Sequence, residues 1–134
     1  MSIRPLLAAA VALGAAAVTG VSAASSDLPY LRSASASKGH VIVVYRLGEL
    51  LPGRIVVAVR PRTNARGALL KTNRRIDEPL RGTKIASGLR ARTRHTLAPG
   101  RYYVQVSGTV VGLDCLPKKP CPPRWSNVRR VVVP

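Results

Sequence analysis

The sequence predicts an all-β protein, a sandwich of two sheets with about seven strands. Short apolar runs bounded by turn residues recur along the chain, and valine, which favours strands, is abundant in them. In residues 97–106 a Pro-Gly turn enters such a run. There Tyr102, Val104 and Val106 alternate on one face, which predicts Tyr102 as a structural corner whose phenol binds upstream backbone.

The first 24 residues are predicted to be a secretory signal peptide. Residues 6–18 form an uncharged Ala/Leu/Val run, and Val21-Ser22-Ala23 supplies the small residues of a cleavage site. The alternative is an uncleaved membrane anchor, for which the run is short. On this interpretation the protein is secreted or held in the cell envelope, and only an uncleaved signal would connect it to a membrane.

Apolar patterning then orders the first half of the chain. Residues 25–38 are rich in Ser and Ala and are expected to be flexible, with residues 28–31 as a candidate edge strand. The domain is predicted over residues 39–134. A nearly continuous apolar run at residues 40–47 is typical of a central strand, and the next strand is predicted at residues 54–60. Its inward face would carry Ile55, Val57 and Val59, followed by a candidate strand at residues 69–76.

Two later segments complete the predicted sandwich. Residues 89–97 alternate cleanly, with an expected inward face of Leu89, Ala91, Thr93, His95 and Leu97. The outer face would carry Arg90, Arg92 and Arg94 at a spacing of about 6.7 Å, twice the rise per strand residue. The last strand is predicted within residues 125–134, where Arg129 and Arg130 interrupt the alternation and a bulge would restore it.

These segments resemble a fibronectin type III domain, an immunoglobulin-like sandwich, of the kind found in small secreted bacterial proteins. The resemblance covers about residues 39–134. It rests on the pattern Leu97-x-Pro99-Gly100-x-Tyr102-x-Val104-x-Val106, on Trp125-Ser126-Asn127 before the last strand, and on strand spacing. Val104 stands where an immunoglobulin domain would carry its second bridging cysteine, so the fibronectin-like branch is favoured. Tyr45 stands in for the tryptophan usual in the second strand.

The charge of the chain points to an anionic partner. There are 22 Lys and Arg residues against 5 Asp and Glu, a formal net charge of +17. Arginine accounts for 17 of the 22, and its guanidinium binds phosphate and carboxylate in bidentate fashion. Acidic cell-wall polymers, anionic lipid headgroups and nucleic acid all qualify. Nucleic acid is not favoured because no aromatic residues interleave the arginine row. The alternative is that the arginines reflect coding bias and form a solvated face.

The two cysteines, Cys115 and Cys121, are predicted to form a disulfide, as an even count in a secreted chain usually does. The bridge would staple the loop 112–125, which lies between the last two strands. The resemblance implies that this connection is commonly used for recognition. Lys118, Lys119 and Arg124 would then be contacts of a basic finger. The alternative is that the bridge only stiffens the loop and the lysines keep it soluble.

No pattern of catalysis or cofactor binding is found. The five acids are scattered, and no nucleophile elbow, phosphate loop or metal pair occurs. Only His40 and His95 could add to the cysteines as metal ligands, too few at unsuitable spacing for zinc. We therefore expect no cofactor, no metal and no enzymatic activity. A secreted hydrolase would require a site assembled from distant residues.

The sequence thus predicts a secreted, non-catalytic binding module that engages an anionic polymer through Arg90, Arg92, Arg94 and the basic loop. The alternative is an extracellular protein–protein adaptor that uses the stapled loop 112–125, with a basic surface that is incidental.

Overall fold

In the computed structural model, which describes residues 28–110 and 121–134, two antiparallel sheets pack face to face as a sandwich. Sheet A has the strand order β1-β2-β6-β5. Its strands are β1 (Tyr30–Ser37), β2 (His40–Arg46), β5 (Gly82–Ile85) and β6 (Gly88–Arg92). Sheet B has the order β4-β3-β7, and both β8 and β9 pair with β7. Its strands are β3 (Leu51–Ala58), β4 (Arg74–Pro79), β7 (Gly100–Thr109), β8 (Pro123–Trp125) and β9 (Arg129–Val133). The predicted all-β, two-sheet architecture is confirmed.

The core lies between the sheets and is built from alternate residues of each strand. Every second residue of β2 is buried (Val41, Val43 and Tyr45), and so are Tyr102, Val104 and Val106 of β7. Ile55 and Val57 of β3, the strand paired with β7, belong to the same core cluster. Burying each such side chain contributes about 1.5–3 kcal/mol, so the register of these central strands is strongly specified.

Sheet A begins with a longer edge strand than expected. Residues 25–38 are predicted to be flexible, with residues 28–31 as a candidate edge strand. In the structure an edge strand does begin there, but it is longer: β1 pairs with β2 along its length, and Leu31 is fully buried in the core. The hairpin turns at Lys38-Gly39, where both residues have the positive φ of a type I′ turn (52° and 83°). The small Ser and Ala side chains of β1 show no apolar pattern, which is typical of a linker. Strand pairing uses backbone hydrogen bonds, however, and these do not require large apolar side chains.

Tyr102 closes one end of the core. Its side chain is buried and its hydroxyl donates a hydrogen bond of 2.8 Å to the carbonyl oxygen of Ala98. The Pro99-Gly100 turn between the two residues brings the chain back so that this bond can form. The phenol therefore fixes the connection that leads into β7.

Removing the hydroxyl in Tyr102→Phe should lower the free energy of unfolding by about 0.5–1.5 kcal/mol, the net contribution of one such hydrogen bond. Tyr103→Phe is the matched control, since Tyr103 points to the other side of β7. Chemical denaturation of both variants checks the assignment. Equal losses in the two variants, or a larger loss for Tyr103→Phe, would show that the corner role was given to the wrong tyrosine.

The end of β6 differs from the expected alternation. The strand stops at Arg92; Thr93 is buried, but the side chain of His95 is 77% exposed rather than inward. The chain bends here because the carboxylate of Glu78 accepts hydrogen bonds from the backbone N–H groups of Arg94 and His95. This contact bridges 16 or 17 residues, so local periodicity gave no sign of it.

The bulge expected at Arg129-Arg130 lies just before β9 instead. The register of β9 with β7 is continuous from Arg129 to Val133. Between β8 and β9, however, residues 126–128 face only Gln105 and Val106 of β7. Ser126 adapts the backbone there, since its Oγ accepts a hydrogen bond from the Val106 N–H and donates one to the Asn127 carbonyl.

The outer face of sheet B carries a second, smaller apolar cluster. Val56, Ala58 and Leu69 are buried there, and Trp125 and Val128 pack against them. Residues 62–70 thus fold over the sheet as a cover, and β3 is buried on both faces. The alternation of residues 54–60 predicts a single inward face for this strand, so the cover is a feature of the tertiary structure alone.

Candidate anion-binding surface

Three arginines converge on the outer face of sheet A. Arg90 and Arg92 lie on β6 with exposed side chains, separated by the buried Ala91. Arg81 lies immediately before β5, the neighbouring strand, in which Thr83 is paired with Arg90. Together they line a shallow depression of about 320 Å³ whose walls are Arg81, Thr83, Arg90, Ala91 and Arg92. We call Arg81, Arg90 and Arg92 the arginine cluster.

Gly82 allows β5 to lie close enough to form this surface. It pairs with Ala91, and a Cβ atom at Gly82 would collide with the hydroxyl of Tyr45 beneath it. The strand alternates around this inward glycine, which directs Arg81 and Thr83 outward. Burial raises the pKa of the Tyr45 phenol, so it presents no negative charge to the arginines above.

Two of the described carboxylates, those of Asp77 and Glu78, are engaged elsewhere. Asp77 accepts Arg54 Nε on Oδ1 and Arg74 Nη1 on Oδ2, each at 2.8 Å. Within residues 28–110 and 121–134, no carboxylate lines the depression that holds the arginine cluster. Like charges on adjacent strand positions repel, so this arrangement costs stability that a bound anion would restore.

Glu78 has a structural role instead of a role at the cluster. The residue is 6% exposed, and its carboxylate accepts hydrogen bonds from the Arg94 N–H at 2.7 Å, the His95 N–H at 2.9 Å and His95 Nδ1 at 2.6 Å. Burial alone would raise the pKa of Glu78, but the two backbone hydrogen bonds, followed by the contact with the His95 ring, hold it below its ordinary value. Glu78 therefore stays ionised and anchors the chain that follows β6.

The predicted contact residues do not form one continuous surface in the structure. Arg90 and Arg92 share a strand face as expected, whereas Arg94 lies in the bend beyond β6, with its backbone held by Glu78. Arg124 is exposed on β8, in the other sheet. Lys118 and Lys119 lie outside the described residues.

The predicted disulfide also falls partly outside the described residues. No described cysteine is free, which includes Cys121. Cys115 lies outside the described chain, so the pairing of the two cysteines stays a prediction.

Sequence reasoning missed Arg81 and Thr83. Arg81 belongs to residues 62–82, where the pattern is irregular, and Thr83 follows that stretch directly. Both residues reach Arg90 and Arg92 only through the pairing of strands β5 and β6. The available signal was the pair of basic residues Arg81 and Lys84 around a short Gly-Thr segment, which alone does not reveal a neighbour. No cluster of three or more His, Cys, Asp or Glu side chains is found in the described part of the chain.

Comparisons with protein-family models, with curated proteins and with solved structures found no match to this chain. Among the residues that the structure describes, no helix has the length and apolar character needed to span a membrane.

Proposed function

We propose that this protein is a secreted, non-catalytic binding module that attaches to an anionic polymer of the cell envelope or the extracellular space. One observation carries the proposal: three guanidinium groups share one open depression that no described carboxylate enters. Arginine in such a place binds phosphate, sulfate or carboxylate groups through paired N–H donors.

The strand order supports a fibronectin type III-like sandwich as the scaffold. Strands β1-β2-β6-β5 correspond to the A-B-E-D sheet of such folds, and β3, β7 and β8/β9 correspond to C, F and G. β4 takes the place of an additional strand beside C. The hydrogen bond of Tyr102 to Ala98, at the start of the F strand, fits the same scheme.

An extended polymer suits this surface better than a small ligand. The depression is open and shallow, and it contains no apolar wall beyond Ala91 that would bury a small molecule. Many weak contacts to a repeating anion reach useful affinity without a deep pocket. Net positive charge would also speed the encounter with such a polymer.

Neutralising the cluster in Arg90→Gln/Arg92→Gln should weaken binding to immobilised heparin by about tenfold or more at low salt, since the loss of two charged contacts amounts to over 1.4 kcal/mol. Arg66→Gln/Arg101→Gln is the matched control, because it removes the same charge from exposed positions outside the cluster. Surface plasmon resonance on all three proteins measures the difference.

The control pair should retain most of the affinity. If both double variants lose affinity equally, net charge and not the cluster governs binding, and the assignment of the site is wrong. The protein–protein adaptor remains the second hypothesis from the sequence. Its loop, residues 112–125, falls mostly outside the described residues, so no observation favours it here.

A further inference from the structure

A second basic depression lies at the junction of β3 and β4. It has a volume of about 330 Å³ and carries three further arginines, Arg60, Arg62 and Arg75. The other lining residues are uncharged: Val59, Leu70, Thr72 and Asn73. We call it the β3/β4 depression. Its walls therefore differ in chemistry from those of the arginine cluster, where threonine and alanine are the only companions of the arginines.

Asn73 gives this depression an unused hydrogen-bonding group. Its backbone is held in place, since its N–H donates to the Leu70 carbonyl and its carbonyl accepts the Val59 N–H. The residue is only 8% exposed, and its Oδ1 atom has no hydrogen-bond partner among the described residues. A buried acceptor left unpaired costs stability, so a donor that reached it would be favourable.

Val59 and Leu70 complete the wall with apolar surface. Both are half-buried, so each keeps part of its side chain accessible within the depression. Three kinds of group thus lie side by side in the walls: guanidinium groups that can bind an anion, a side-chain amide whose unpaired oxygen is itself buried, and apolar surface for C–H groups. Few anionic polymers carry a negative group, a hydroxyl and an apolar C–H face on the same repeating unit.

We propose that the β3/β4 depression binds one acidic sugar unit, of the uronic acid type, within the polymer. The sugar carboxylate accepts N–H groups from Arg60, Arg62 or Arg75, while a ring hydroxyl donates to Asn73 Oδ1. Rotation of the amide about its broad Cβ–Cγ torsion turns Oδ1 toward the ligand. The C–H face of the ring lies on Val59 and Leu70. This inference rests on the proposed function and narrows the polymer to an acidic polysaccharide.

The two depressions lie on different sheets, and the segment that leads from β4 to β5 connects them along the chain. Arg75 lies near the start of β4 and Arg81 just beyond its end, six residues later. At a rise of about 3.3 Å per residue, their Cα atoms lie no more than about 20 Å apart. A single chain that contacts both sites gains avidity over either site alone. On this proposal the arginine cluster binds the anionic groups of the polymer, and the β3/β4 depression binds the sugar unit itself.

The test compares two polymers that share negative charge but differ in hydroxyls. Polygalacturonate carries carboxylates and ring hydroxyls, whereas linear polyphosphate carries no hydroxyl along its chain. Asn73→Leu removes the acceptor and keeps the size of the side chain. We expect it to weaken polygalacturonate binding roughly three- to tenfold, the range of one hydrogen bond, and to leave polyphosphate binding within about twofold. Val59→Thr provides a second variant if Asn73→Leu does not fold, because it makes polar part of the surface on which the sugar ring is proposed to lie. We expect it too to weaken polygalacturonate binding and to leave polyphosphate binding within about twofold.

The outcomes separate this inference from the proposed function. If both polymers bind the wild-type protein and neither variant changes their ratio of affinities, the sugar site is wrong and the anionic polymer function stands. If an Asn73→Leu protein with an unchanged melting temperature loses affinity for both polymers equally, Asn73 does not distinguish a polymer with hydroxyls from one without them, and the inference is again overturned. If neither polymer binds the wild-type protein at low salt, the proposed function fails and the inference with it.

Discussion

Gln105→Leu is expected to lower the free energy of unfolding by about 3 kcal/mol or more. Gln105 is a buried residue of β7, 2% exposed, whose side-chain amide is fully used. Its Oε1 accepts the Leu69 N–H at 3.0 Å, and its Nε2 donates to the carbonyl oxygens of Gly67 and Ser126 at 2.6 and 2.7 Å. Leucine fits the volume but removes the partner of two buried backbone groups, the Leu69 N–H and the Ser126 carbonyl, at about 1–3 kcal/mol for each, and of the half-buried Gly67 carbonyl.

The amide of Gln105 also has an architectural role. It ties the cover of residues 62–70 and the segment at Ser126 to the outer face of sheet B. The small cluster around Leu69 and Trp125 depends on both attachments, so we expect the tryptophan emission of Gln105→Leu to shift toward that of a solvent-exposed residue before the core melts. Trp125 is the only tryptophan of the chain, which makes the signal specific.

Arg101→Leu supplies the control for that measurement. Arg101 lies on the same strand with an exposed side chain, and its replacement should change stability by no more than about 0.5 kcal/mol. Urea denaturation, followed by circular dichroism and by fluorescence, compares the two variants. A Gln105→Leu protein as stable as the wild type would mean that the three hydrogen bonds are replaced by water at no cost, contrary to the burial of the site.

The second large effect is expected from Glu78→Gln, which should reduce the free energy of unfolding by about 1.5–3 kcal/mol at neutral pH, the range for a hydrogen bond to a charged group. The carboxylate accepts three hydrogen bonds, from Arg94 and from the backbone and ring of His95. Glutamine keeps one acceptor oxygen and turns an amide donor toward N–H groups. The bend after β6 would therefore loosen.

The stability difference between the wild type and Glu78→Gln should also depend on pH, in a direction that follows from the pKa of Glu78. The pKa of Glu78 is lowered in the folded protein from its ordinary value of 4.5, so the folded state binds the proton less tightly than the unfolded state. The stabilisation is fully present above that ordinary value and is lost as the pH falls through the folded pKa. The difference between wild type and Glu78→Gln should hence be constant from pH 6 to 8, roughly, and shrink below about pH 4.5.

Asp77→Asn is the comparison for this experiment. Asp77 also binds two partners, Arg54 and Arg74, but its side chain is 36% exposed. Exposed ion pairs contribute about 0–1 kcal/mol, so the loss should be smaller than for Glu78→Gln. If the gap between wild type and Glu78→Gln stays constant down to acid unfolding, Glu78 is not ionised in the fold as described.

Local pattern was sufficient where a strand is central and buried on one face. Alternation identified the inward residues of β7, the nearly continuous apolar run at residues 40–47 identified β2 as a strand, and the Pro-Gly turn before Tyr102 identified the entry into β7. These features depend on neighbours along the chain, because burial of one strand face repeats every second residue. The same reasoning found Arg90 and Arg92 as a pair on one outer face.

What the sequence did not predict depends on contacts between distant segments. β1 extends beyond the candidate edge strand at residues 28–31 because backbone pairing with β2 continues to Ser37, which the Ser/Ala composition conceals. Gln105 is a polar residue at a buried position, where pattern alone favours an apolar one. Arg81 joins the arginine cluster only through the pairing of β5 with β6, and Glu78 ends β6 from a strand of the other sheet. Each of these contacts joins residues that are distant in sequence, and the local periodicity of the sequence carries no information about such contacts.

The salt dependence of polymer binding tests the central claim most directly. The affinity for heparin is measured between low and high salt for the wild-type protein and for Arg90→Gln/Arg92→Gln, with Arg66→Gln/Arg101→Gln as the charge-matched control. We predict that the wild-type affinity falls steeply and linearly on logarithmic axes. The cluster variant should show a slope lower by about one unit for each arginine that contacts the anion, and the control should retain nearly the wild-type slope. An affinity that stays the same across the salt range would contradict attachment to an anionic polymer through the arginine cluster.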